Sequence, residues 1–126
     1  MDIKENLKYT KDHEWVKLEG NIATVGVTDF AQSELGDIVY VEVDTIDETL
    51  DKDEVFGTVE AVKTVSDLFL PMSGKIVEFN ESLSDSPESI NDSPYDDGWI
   101  IKVEVSNPDE INHLLNNNDY SDLIGK

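Results

Sequence analysis

From Glu14 to Glu19 the chain alternates, with Trp15, Val16 and Leu18 set among charged residues, and Gly20-Asn21 then leads into Ile22-Ala23-Thr24-Val25-Gly26-Val27. Two such runs joined by a Gly-Asn pair predict a β-hairpin with a two-residue loop. Asp29 and Gln32 form a capping-box pattern, Phe30, Ala31 and Leu35 follow, and Gly36 supplies a stop, so a short helix is predicted over 29–35. Ile38-Val39-Tyr40-Val41-Glu42-Val43 reads as the next strand. The acid-rich, apolar-poor stretch from Asp44 to Glu54 reads as an exposed loop. Lys75-Ile76-Val77-Glu78-Phe79 is another alternating strand, and Trp99 to Val105 is the last. Between them, residues 81–97 collect Ser, Asp, Pro and Asn and predict a long loop, either functional or a tolerated insertion. Asn107 as N-cap, Pro108 at the first helical position and Glu110 open a helix with Ile111, Leu114 and Leu115 on one face. Tyr120, Leu123 and Ile124 predict a second short helix.

Many short strands, a few helices and no βαβ rhythm predict a mainly antiparallel β-sandwich or flattened barrel, with one short internal helix and C-terminal helices. A chain of 126 residues is one domain long, so residues 1–126 are expected to share a single core.

Gly57-Thr58-Val59-Glu60-Ala61-Val62-Lys63-Thr64-Val65-Ser66-Asp67 stands apart. Strand-forming residues flank Lys63 on both sides, and no Gly, Asn or Asp between Glu60 and Thr64 announces a turn. Local rules therefore read one long strand, with Lys63 an ordinary surface lysine. Nothing beside it offers the apolar pocket or cationic neighbour that a Schiff-base lysine needs.

Charge is the strongest global signal: 29 acidic residues against nine basic ones give a formal net charge of −20. All nine basic residues are lysines, so no guanidinium is present to clamp phosphate or read a guanine edge. Nucleic acid and anionic membrane are excluded as partners. The acidity serves solubility or steers docking towards basic partners. Without cysteine, disulfides, thiolate metal sites and cysteine nucleophiles are ruled out together, and any sulfur chemistry has to arrive on a cofactor. No apolar run is long enough to cross a bilayer, and the first residues resemble neither a signal nor a transit peptide, so a soluble protein is expected. There is no phosphate loop and no Gly-x-Gly-x-x-Gly pattern. His13 and His113 lack a third ligand, which speaks against a metal site. His13 beside Glu14 lacks the nucleophile and oxyanion pattern of a catalytic set, and is read as structural.

Four runs change this picture. Lys8-Tyr9-Thr10-Lys11-Asp12-His13-Glu14-Trp15-Val16, Ala23 to Gln32, Leu35 to Glu42, and Ser93-Pro94-Tyr95-Asp96-Asp97-Gly98-Trp99, together with the Glu60-Ala61-Val62-Lys63 segment, resemble the H protein of the glycine cleavage system in family order. The resemblance implies a lipoyl-domain-like antiparallel sandwich in which Lys63 sits at a hairpin tip and carries lipoic acid in amide linkage. It implies a carrier and not an enzyme. Its partners would be a pyridoxal phosphate glycine decarboxylase, an aminomethyltransferase passing the one-carbon unit to tetrahydrofolate, and lipoamide dehydrogenase. A lipoate ligase or a lipoyl/octanoyl transferase would attach the group. The residues matching Glu14, Ser66 and Asp67 would lie near a cleft where the loaded arm rests. A monomer is expected, cytoplasmic if bacterial and in the mitochondrial matrix if a processed eukaryotic chain. A biotin carrier also displays a lysine on a hairpin, but usually between methionines; here Val62 and Thr64 flank Lys63, and the only methionines are Met1 and Met72. A relay that donates lipoyl or octanoyl groups to other acceptors would use the same lysine and stays open as the alternative function.

Overall fold

In the computed structural model, which describes residues 2–125, the strands form two antiparallel sheets. The larger has the order β1 (Lys8–Tyr9), β2 (Glu14–Glu19), β3 (Ile22–Val27), β9 (Ile101–Val105), β8 (Gly74–Phe79), β5 (Thr49–Leu50). The smaller has the order β4 (Ile38–Glu42), β6 (Val55–Ala61), β7 (Val65–Phe69). The sheets remain separate, so the expected sandwich is correct and the barrel is not closed.

The hairpin of β2 and β3 turns at Gly20, whose φ of +64° is followed by an ordinary φ at Asn21, the arrangement of a glycine-first hairpin turn. Alternation then sorts the side chains. Val16 on β2 and Val25 on β3 join the main core between the sheets with Val59, Leu68, Ile76 and Ile101. Trp15, on the opposite face of β2, packs in a second cluster with Leu7, Tyr9 and Tyr120.

Helix α1 (Asp29–Leu35) has the predicted bounds but a different cap. Thr28 Oγ1 accepts the Ala31 N–H at 3.1 Å, while Asp29 accepts the Gln32 side-chain amide at 2.8 Å. The capping-box pair therefore bonds side chain to side chain one position inside the true N-cap. Gly36 ends the helix at φ +81° and ψ −158°, a conformation open to glycine alone.

Four expectations need correction. The stretch from Asp44 to Glu54 is not all loop, since Thr49 and Leu50 form β5 and pair with Lys75 and Gly74 of β8. The single long strand read around Lys63 is instead two strands, β6 and β7, folded back on each other. Residues 81–97 are not a featureless loop: they contain α2 (Ser82–Asp85) and α3 (Ser89–Asp92), which bury Leu83 and Ile90. Two isolated apolar residues in polar surroundings carry too little periodicity to be read as helix. The segment after Asn107 is a 3₁₀ turn, Pro108–His113, not an α-helix, although Asn107 caps it as predicted. Its last residues leave the helix and pair as strand: Tyr9 and Leu115 exchange backbone hydrogen bonds at 2.8 Å. Helix α4 (Asn117–Ile124) follows and docks through Tyr120, stacked on Tyr9 with ring centroids 4.6 Å apart.

Candidate functional site

Lys63 stands at the tip of the β6–β7 hairpin. Glu60 pairs with Val65, and the Ala61 N–H donates to the Thr64 carbonyl at 2.7 Å, which leaves Val62 and Lys63 as the turn. Neither turn residue has positive φ, so no glycine or asparagine is required there. The corner is held from outside, by the Val62 N–H donating to the Asp37 carbonyl at 3.0 Å. Asp37 is itself part of a braced turn. Asn91 on α3 accepts the Ile38 N–H at 2.9 Å and donates to the Gly36 carbonyl at 2.9 Å. The Lys63 stem lies across Gly36, where a Cβ would come within 3.4 Å of Lys63 Cε.

Beside the tip opens a cleft of about 360 Å³. One wall is α1, through Phe30, Ala31, Glu34 and Leu35; Val27, Val59 and Leu68 add apolar surface, and Asp12, His13, Glu14, Ser66 and Asp67 add polar groups. Leu35 adjoins Gly36 and therefore marks the Lys63 end, whereas the Phe30 ring meets His13 at 4.9 Å and marks the other. At the helical rise those ends are roughly 7 Å apart along the axis. The three residues carried over from the family resemblance thus share one cleft with the tip lysine's neighbours. A separate cavity of about 390 Å³, lined by Ile46, Val77, Phe79, Asn80 and Trp99 among others, contains none of them.

Glu14 is only 2% exposed. On β2 it shares the inward face with Val16, and at the strand's end that face opens on the cleft. Thr10 Oγ1 donates to Glu14 Oε1 at 2.8 Å and the Phe69 N–H donates to Oε2 at 3.1 Å. Burial outweighs these hydrogen bonds and the carboxyl pKa is pushed up to about 8, with Asp12 and Asp53 adding repulsion. Glu14 is therefore largely a carboxylic acid at neutral pH, a state that its place in the sequence does not reveal. Ser66 is half-buried and shares the inward face of β7 with buried Leu68, while Asp67 is exposed at the rim.

His13, read from sequence as structural, is a cleft residue. It adopts φ +69° and its Nδ1 lies 3.0 Å from the Tyr120 hydroxyl. Burial lowers its pKa, so the ring is neutral. Thr28 Oγ1, fully buried, already accepts the Ala31 N–H, and among the described residues its own proton meets one acceptor, the Tyr120 oxygen at 2.7 Å. Tyr120 stays protonated, its pKa raised to about 12 mainly by burial, and its proton is left for His13 Nδ1. The chain Thr28 to Tyr120 to His13 thus fixes the imidazole with its proton on Nε2. A C-terminal tyrosine, 107 residues from its partner, carried no sequence signal for this role. His113 lines a different cavity, with Lys11, Lys52 and Asp53.

A small two-sheet scaffold with one lysine on a pinned hairpin, next to a cleft that is apolar along its walls and acidic at its mouth, is the plan of a swinging-arm carrier. The family model for the glycine cleavage H-protein matches residues 7–126. The fold superposes on the crystal structure of a glycine cleavage system H protein from Mycobacterium marinum with a TM-score of 0.90, at 37% sequence identity, over 98% of this chain and 100% of that one. The chain belongs to the glycine cleavage H-protein family, whose members are carrier subunits bearing a lipoyl-lysine.

Proposed function

We propose that Lys63 carries lipoic acid in amide linkage and that the chain shuttles the aminomethyl unit of glycine from a decarboxylase to an aminomethyltransferase, then presents its dithiol to lipoamide dehydrogenase. It does so as a carrier, with no catalytic set of its own. The observation that carries this reading is the pairing of display with shelter: an exposed lysine on a rigid two-residue turn, its stem over Gly36, beside the cleft of Glu14, Ser66 and Asp67.

The residues fit the group. Phe30, Ala31, Leu35, Val59 and Leu68 offer apolar walls to a hydrocarbon arm, and its polar end would meet carboxyl groups. When bound, the lipoyl group supplies a disulfide that takes up the aminomethyl unit and a dithiol to be reoxidised. An ammonium brought beside Glu14 favours the carboxylate, so Glu14 gives up its proton as it gains a partner. An ammonium held there would have no lone pair with which to expel a thiolate, and the apolar walls of Phe30, Ala31, Leu35, Val59 and Leu68 would limit the access of water. Asp67 at the rim supplies a second negative charge.

Lys63→Arg tests the attachment. Acylation needs a neutral amine, which a guanidinium with a pKa above about 12 does not provide. Incubated with lipoate ligase, lipoate and ATP, the wild type should gain one lipoyl group on the Lys63 peptide. The variant should remain folded, unmodified and unable to support glycine-dependent carbon dioxide release. A Lys63→Arg protein that gains one lipoyl group and restores glycine cleavage would refute the assignment.

A further inference from the structure

Lysine is divided unequally between the two sheets. Lys8, Lys17, Lys75 and Lys102 lie on strands of the six-stranded sheet. The strands of the three-stranded sheet carry no lysine and instead bear Glu42, Glu60 and Asp67. Charged side chains, lysine above all, usually protect edge strands from unwanted pairing, yet both edges of the small sheet, β4 and β7, lack it. Its outer face is also unusually apolar near the tip. Tyr40, Glu60 and Val65 form one cross-strand row, with Tyr40 51% and Val65 63% exposed. Val39, next to the β4 bulge, is 46% exposed and Val62, beside Lys63, is 75% exposed. These four make up half of the eight large hydrophobic side chains exposed on the described residues, and all of them adjoin one hairpin.

We propose that Val39, Tyr40, Val62 and Val65, framed by Glu42, Glu60 and Asp67, form the surface on which the enzyme that acylates Lys63 docks. That enzyme would offer an apolar patch ringed by lysine or arginine around its active-site mouth. The proposal rests on Lys63 being the acylated residue.

Reach singles out this partner. Before modification, Lys63 Nζ extends from the hairpin by one lysine side chain only, so an enzyme that brings an activated acyl carbon to it has to cover the tip. Enzymes that act on the finished arm meet its sulfurs many bonds further out and can dock without covering this strip. In the reaction, the neutral Nζ adds to the carbonyl carbon of a lipoyl adenylate. The amide C–N bond forms, the C–O bond to phosphate breaks with its electron pair leaving on AMP, and Nζ releases a proton to solvent. Charge complementarity selects the rim: a basic mouth is attracted to the acidic frame formed by Glu42, Glu60 and Asp67, while Lys63 is the side chain that has to enter. A few fully desolvated side chains at the centre of such a contact, tyrosine prominent among them, carry most of its affinity, which puts Tyr40 at the heart of this one.

Tyr40→Glu and Val65→Glu should raise the KM for the carrier at least ten-fold in assays with purified lipoate ligase, lipoate and ATP, with kcat little changed and unfolding curves like the wild type. Val77→Glu and Leu123→Glu, at exposed apolar positions elsewhere, should be acylated as the wild type is. Raising the salt concentration should raise the wild-type KM. Wild-type KM in both Tyr40→Glu and Val65→Glu, with acylation still at Lys63, would overturn the docking surface alone. Acylation of the wild type at another lysine would overturn both the surface and the assignment of Lys63.

Discussion

Glu14 Oε2 accepts the backbone N–H of Phe69 at 3.1 Å, so a side chain of the six-stranded sheet completes the edge strand of the three-stranded one. Because burial raises the Glu14 pKa from 4.5 to about 8, the folded protein holds a proton that the unfolded chain releases across that interval. Stability from this group is thus fully present below about pH 4.5 and is lost as pH rises through about 8. Glu14→Gln keeps a neutral group and does not titrate. The wild-type unfolding free energy, less that of Glu14→Gln, should fall by on the order of 4 kcal/mol between about pH 4 and about pH 9. Urea unfolding at several pH values measures it, and parallel curves would show that Glu14 titrates normally.

The same carboxyl group is assigned a role in holding an ammonium with Asp67. Each charge-assisted contact is worth about 1.5–3 kcal/mol, so Glu14→Gln or Asp67→Asn should speed spontaneous loss of the aminomethyl group by about ten-fold or more. Mass spectra of the loaded carrier over time supply the rate. Unchanged lifetimes in both variants would remove these two residues from the cleft's function.

Gly36→Ala challenges display and fold together. At φ +81° and ψ −158° an alanine is strained, and its Cβ would lie 3.4 Å from Lys63 Cε. A loss of about 1–3 kcal/mol is expected from the backbone alone. The lysine stem should also be lifted from its seat, slowing modification of the fraction that folds. A variant as stable as the wild type would mean that the turn relaxes freely.

Tyr120→Phe keeps the ring stacked on Tyr9 but leaves the Thr28 hydroxyl without its acceptor and His13 Nδ1 without its donor. Destabilisation by about 1–3 kcal/mol should follow. Nitrogen NMR shifts of His13 should report the proton on Nε2 in the wild type and a mixture of tautomers in the variant. A wild-type ring protonated on Nδ1 would reverse the direction of the hydrogen-bond chain.

Alternation and turn chemistry made the β2–β3 hairpin, α1 and the central strands legible, because each rests on residues within a few positions of one another. Resemblance in the Glu60-Ala61-Val62-Lys63 segment placed Lys63 on a hairpin tip where local rules drew a continuous strand. The reason is physical: a turn with negative φ at both residues leaves no compositional mark, and its support comes from Asp37, on another element. Asn91 was hidden for the same reason. It lies in a stretch that reads as loop, yet its side chain clamps Gly36 and Ile38 across more than 50 residues. The burial of Glu14, its raised pKa and the Tyr120–His13 contact all depend on two sheets and a C-terminal helix converging, which no window of sequence records.

Both residues of the Val62-Lys63 turn keep negative φ, and main-chain groups of Ala61, Thr64 and Asp37 hold the corner in place. The backbone course of the tip is thus independent of which side chains occupy it. The pair can be rewritten without disturbing the scaffold beneath. A designer can use this: a residue with a bioorthogonal handle at position 63 would be offered to solvent on a short rigid stalk, with a ready-made pocket beside it.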